Sequence, residues 1–220
     1  MADDLDDPLL REINDELKQE RLAKLWKSYG GYAVGAALVL VAGVAGVQAW
    51  RSYDLKQRTE SGERFAAAQA LAAKDKSADA VAAFEAIAKD GDGYALLARF
   101  RAAALLGSSG NASAAISAYS ALVDDTDVEQ LYRDLAVVLG SFQELNANGG
   151  KSGVLSDKVQ ALAKGDGPWR LSAKEAAALV ALARGDSKGA KALYAELAEF
   201  AGAPQALRER ANEMLKIIGK

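Results

Sequence analysis

Between Ser28 and Trp50 the chain runs for 23 residues without a charged side chain, whereas the segments around it mix apolar and polar positions at helical spacing. As a helix the charge-free segment would extend about 34 Å, enough for a hydrocarbon layer of roughly 30 Å. Lys27 and Tyr29 precede it and Trp50, Arg51 and Tyr53 follow it, which puts cations and amphipathic rings where the two membrane interfaces would lie. The pattern predicts a transmembrane helix over residues 28–50. Soluble core helices are rarely this long and charge-free. Val47, Gln48 and Ala49 resemble a cleavage site, but a long acidic leader and an apolar run of this length suit an uncleaved anchor better.

Before the span, Leu10, Ile13 and Leu17 recur at helical spacing ahead of Leu22, Leu25 and Trp26, predicting an amphipathic helix behind the acidic run Asp3, Asp4, Asp6 and Asp7. Lys18, Arg21, Lys24 and Lys27 on one side balance Arg51, Lys56, Arg58 and Arg64 on the other, so basic residues do not orient the span. The usual outcome for a short tail and a large folded domain puts residues 1–27 in the cytoplasm and the domain outside. Within the span Gly31, Gly35, Ala42 and Gly46, with Ala49, fall in one sector of the helix, a small-residue face on which another membrane helix could pack closely.

Beyond Arg51 the pattern repeats. A small or apolar residue, an aromatic four later and an aliphatic three after that occur as Ala80, Phe84, Ile87; Ala115, Tyr119, Leu122; and Ala190, Tyr194, Leu197. A weaker copy, Leu155, Val159, Leu162, makes the anchor spacings 35, 40 and 35 residues, the longer one containing the polar insertion Asn146 to Ser152. Positions i, i+4 and i+7 share a helix face, and the small first residue lets a neighbouring helix approach while the aromatic fills the gap. Asp75, Gly110 with Asn111, and Gly185 with Asp186 precede the anchors where a helix must end and reverse. Alanine pairs at 67 and 68, 102 and 103, and 177 and 178 mark a preceding helix in each unit.

The predicted helices are 54–73, 78–89, 93–106, 112–123, 128–145, 154–163, 173–184, 188–200 and 205–218. Ser172 with Glu175 suggests a capping box, Asp127 a helix N-cap and Pro204 a helix start. The fold class is all-α, a transmembrane helix followed over residues 54–220 by an α-solenoid of about four helical hairpins, with the last helix capping its open end.

Composition removes several functions. The chain has no Cys and no His, so thiolate chemistry, sulfur-ligated zinc and the commonest general base are excluded. Residues 54–220 carry 22 acids and 21 bases, without the basic surplus that nucleic-acid binding requires. Gly91 and Gly93 lack the third glycine of a phosphate loop, and Asp124, Asp125, Asp127 and Glu129 lack the spacing of a calcium loop. No cofactor, metal, nucleic acid or small-molecule substrate is expected, and no enzymatic activity.

The run Gly185, Asp186, Ala190, Tyr194, Leu197 resembles a tetratricopeptide repeat, although the repeats lack the tryptophan and most of the prolines of that pattern. With Leu25, Trp26, Lys27 and Tyr29 in the tail and a Gly-rich span ending at Trp50 and Arg51, the whole chain resembles the ancillary SecYEG translocon subunit family. The resemblance implies a bacterial inner-membrane anchor, a periplasmic repeat domain, and protein partners among the Sec translocon, periplasmic chaperones or client chains. The tetratricopeptide resemblance further implies a concave groove lined by Phe65, Gln69, Leu97, Phe100, Tyr132, Leu135 and Glu175. The alternative for these side chains is packing between neighbouring helices or under the last one. An alternative role for the same surface is a scaffold in envelope biogenesis or cell division.

Overall fold

The computed structural model describes residues 8–91, 93–149 and 153–219. Asp3, Asp4, Asp6 and Asp7, the side chains of Leu10 and Ile13, and positions 150–152 of the polar insertion lie outside the described residues. Among those described there are nine helices and no strand: α1 Pro8–Ala72, α2 Ser77–Asp90, α3 Ala95–Ser108, α4 Ala112–Asp124, α5 Gln130–Asn148, α6 Val154–Lys164, α7 Arg170–Ala183, α8 Ser187–Glu199 and α9 Gln205–Ile218. The chain divides into two compact units, Met1–Arg58 and Thr59–Lys220.

In the first unit, the segments that the sequence suggests as separate helices form one continuous helix, which runs on into the second unit. Arg51, Ser52 and Tyr53, the residues between the expected elements, include neither Gly nor Pro, and Asp54 pairs with Arg58 one turn on at 2.9 Å. Apart from Gly30, the described residues of the apolar segment lie open: Leu38, Val39, Leu40 and Val41 are each more than 60% exposed, Val39 at 74%. This is the one described helix long and apolar enough to cross a membrane.

In the second unit each helix packs on the next in chain order, and α5 also meets α7. The repeated triads supply the core. Ala80, Phe84 and Ile87 are buried against Phe65 and Ala68 of α1 and Ala98 and Ala102 of α3. Tyr119 and Leu122 of α4 pack with Ala103, Ala136 and Leu155, while Ala178, Leu207 and Ala211 enclose Tyr194 and Leu197 of α8. In the weak copy Leu155 and Val159 are buried as expected, but Ala163 is buried and Leu162 only partly so. Small residues set the interhelix distance. A Cβ on Gly140 of α5 would lie 2.3 Å from Leu155 Cδ1 and 3.0 Å from Tyr119 Cβ, so only glycine lets α4 and α6 close on that turn.

The reversals sit where the turn residues are. Gly110 and Gly185 have φ of 88° and 83°, and Asp75 takes the same left-handed conformation at 57°, ending each helix so that the next can fold back. The residue after each glycine then caps the following helix. Asn111 Oδ1 accepts from Ala114 N–H at 3.3 Å, and Asp186 Oδ1 accepts from Gly189 N–H at 2.8 Å. Asp186→Ala is therefore expected to lower the unfolding free energy by about 1 kcal/mol, read as a shifted urea midpoint at unchanged slope.

Other termini depart from the sequence reading. Asp127 caps nothing: its N–H donates to Asp125 Oδ1 at 3.0 Å in a side-chain turn, and α5 begins at Gln130. Helix α7 begins at Arg170, one turn before the expected start, because Arg170 N–H reaches Gly167 O across a Pro168 turn. Ser172 is consequently inside the helix, and the capping box does not form. Pro204 does occupy the N-cap of α9, and α5 continues three residues past Leu145, with Gly149 as a left-handed C-cap.

Candidate interaction surface

The surface is built from the last turns of α1 and from α3, α5 and α7. On α3, Leu97, Arg101, Ala104 and Ser108 follow one another at i, i+4, i+7 and i+11 and share a face. Gln69 and Ala72 of α1, together with Arg101, Ala104, Leu105 and Ser108 of α3, border an open cleft of about 430 Å³ with Phe84 of α2 among its walls. Gln69 is thus an expected groove residue that borders this cleft.

The other expected groove residues divide. Leu97 is 47% exposed near the N-terminal end of α3, and Tyr132 is 37% exposed at the corresponding position of α5, with Leu135 half-buried one turn later. Phe65 is in the core, at 6% exposure, with its ring 5.2 Å from that of Phe84 and 5.3 Å from that of Tyr94. Burial rather than recognition explains this aromatic. Phe100 is half-buried and its ring centroid lies 6.3 Å from that of Tyr119, so it also packs between helices. Glu175 accepts a two-pronged pair of hydrogen bonds from Arg210 of α9, at 2.7 and 2.9 Å. The last helix is held on the position where a partner was expected.

Most charges on these helices are already committed. Arg99 donates to Asp125 at 2.6 Å across α3 and α4, and this bond, with the Asp127 N–H, holds the Asp125 carboxyl below the usual carboxylate range. Arg64 pairs with Asp90, Lys174 with Glu196, Arg184 with Asp157 and Lys158 with Asp124. Tyr194 ionises only at about 12, chiefly because its ring is buried and secondarily because Glu175 is nearby.

The small-residue stripe of the first unit is open. A Cβ at Gly31, Gly35 or Gly46 would meet nothing within 4 Å, and Ala42 is exposed. Gly30, one position away, is the covered glycine: the Trp26 ring lies 3.2 Å from where its Cβ would be.

The chain matches the tetratricopeptide repeat-like domain over residues 23–145, more than half its length. It belongs to the tetratricopeptide repeat-like family. No curated protein and no solved structure matches it. The tetratricopeptide-like match takes in the charge-free segment, α2 to α4 and α5 up to Leu145. The same repeat register continues beyond the match, since Ala190, Tyr194 and Leu197 are buried as Ala115, Tyr119 and Leu122 are. Arg101, Ala104, Leu105 and Ser108, which border the cleft between α1 and α3, were not singled out from sequence. The signal for three of them was present, because they follow Leu97 on the same helical face.

Proposed function

We propose that this tetratricopeptide-like protein is a membrane-anchored, non-catalytic interaction scaffold, with the span in a bacterial inner membrane and the repeats in the periplasm. The observation that carries the reading is the family match, which starts at residue 23 and joins the exposed apolar helix to the repeats in one family unit. Repeat domains of this kind present an open surface to other polypeptides, and anchoring raises their effective concentration beside a membrane complex, so modest affinities suffice. The sequence resemblance names the complex as the Sec translocon, with periplasmic chaperones or emerging client chains as the further partners.

Three measurements test this. The full chain should resist alkaline extraction from membranes, and a reporter active only in the periplasm should work when fused after Lys220 and fail when fused before Met1. The reverse activity pattern overturns the orientation, and release by alkali overturns the anchor. Photocrosslinkers at Leu97 and Tyr132 in living cells, read by mass spectrometry, should give adducts with translocon subunits or periplasmic chaperones. Adducts confined to division or envelope-assembly proteins would move the scaffold to that machinery.

A further inference from the structure

Four clefts among the described residues of the repeat domain differ in charge. Those bordered by Lys174, Lys158 and Lys164 each hold acidic as well as basic side chains: Glu196 and Glu199 in the first, Asp124 and Asp134 in the second, Asp186 in the third. Among the described residues, the cleft between α1 and α3 holds Arg101 and no acid. Arg101 is exposed and has no carboxylate or carbonyl partner among the described residues, unlike the paired Arg64, Arg99 and Arg184. Beside it the Gln69 side chain brings two further N–H donors, and Ser108 Oγ already spends its hydrogen on Leu105 O at 3.1 Å. The rest of the lining is apolar.

We propose that this cleft receives an acidic segment of a partner polypeptide, with a side-chain carboxylate on the Arg101 guanidinium and an adjacent apolar side chain against Ala72, Ala104 and Phe84. An unpaired guanidinium over an apolar wall is complementary to a carboxylate flanked by leucine-like residues, and a neutral segment of the same shape leaves the cation unanswered. The cleft is open, so the chain enters and leaves it, and an internal Asp or Glu serves as the ligand. The inference rests on the scaffold reading and specifies its partner's chemistry.

The test uses the full chain in lipid nanodiscs and a fluorescein-labelled peptide, blocked at both termini, in which glutamates alternate with leucines. Its twin carries glutamines, and a third peptide carries glutamines with a free C-terminal carboxylate. By anisotropy the glutamate peptide should bind about tenfold more tightly than the glutamine twin, with the difference shrinking as salt is raised. Arg101→Gln should erase that difference while leaving the thermal midpoint unchanged, since the side chain is exposed and unpaired. Ala104→Leu fills the cleft and should weaken binding of the glutamate peptide by a similar factor. Equal affinity for the glutamate and glutamine peptides, or a preference that survives both Arg101→Gln and Ala104→Leu, overturns the proposal. Tighter binding of the free-carboxylate peptide than of the glutamate peptide overturns the internal-acid assignment. Cellular crosslinks through Leu97 and Tyr132 that persist in Arg101→Gln would leave the scaffold reading standing while removing this cleft from it.

Discussion

Truncating Tyr194 to alanine is expected to cost the repeat domain about 3 to 5 kcal/mol, the range for deleting a fully buried ring. Tyr194 is 1% exposed, and α8 and α9 pack around it through Leu197, Ala203, Leu207 and Ala211. The cavity left behind would open between α7, α8 and α9, where the small residues Ala178, Ala203 and Ala211 cannot fill it. Urea melts followed through Trp169, the one tryptophan outside residues 1–58, should show the midpoint falling without a change of slope. Tyr194→Phe keeps the ring and should cost less than about 1.5 kcal/mol. A loss below about 1 kcal/mol for the alanine variant would mean that α9 is not closed over this ring. Phe100→Ala should fall between the two, because its ring is half-buried against Tyr119.

The second large effect lies at a place with no repeat signature. Glu144 of α5 is 4% exposed, and its carboxylate accepts from the N–H groups of Leu155 at 3.2 Å and Ser156 at 2.7 Å. These are among the free donors at the start of α6, whose own N-cap residue, Gly153, has no side chain to offer. A carboxylate there meets both the donors and the positive end of the helix dipole. Glu144→Ala should strand two buried donors and cost about 2 to 4 kcal/mol. Glu144→Gln keeps one acceptor oxygen and should lose roughly half of that. Gly153→Ala should be destabilising from the other side, since its Cβ would come within 2.1 Å of Glu144 Oε2. Circular dichroism and urea melts of the three variants check the ordering, and equal stability of Glu144→Ala and the parent chain would contradict the capping role.

Much of the architecture was legible along the chain because it rests on short-range rules. The helical period, the small-aromatic-aliphatic triads and the turn residues at Asp75, Gly110 and Gly185 all act within one or two helical turns. The triads point to the core wherever the helices go, and the left-handed turns form where glycine or aspartate permits them. The family match and the exposed charge-free helix agree with that reading. The capping box at Ser172 failed for the opposite reason. A cap is defined by where the helix starts, and the Gly167 to Arg170 turn started α7 earlier than its apolar pattern implied.

The sequence by itself determined the helical period, the buried triads, the reversals and the charge-free segment, because each depends on neighbours a few residues away. Only the tertiary structure decided which side chains face one another across helices. It placed Glu144 on α6 from 11 and 12 residues away, Arg210 on Glu175 from 35, and Phe65 inside the core instead of in the groove. It also left Arg101 without an acid, although the chain has more acids than bases. Pairing across helices depends on the distances and crossing angles at which they pack, and periodicity along one helix does not specify those.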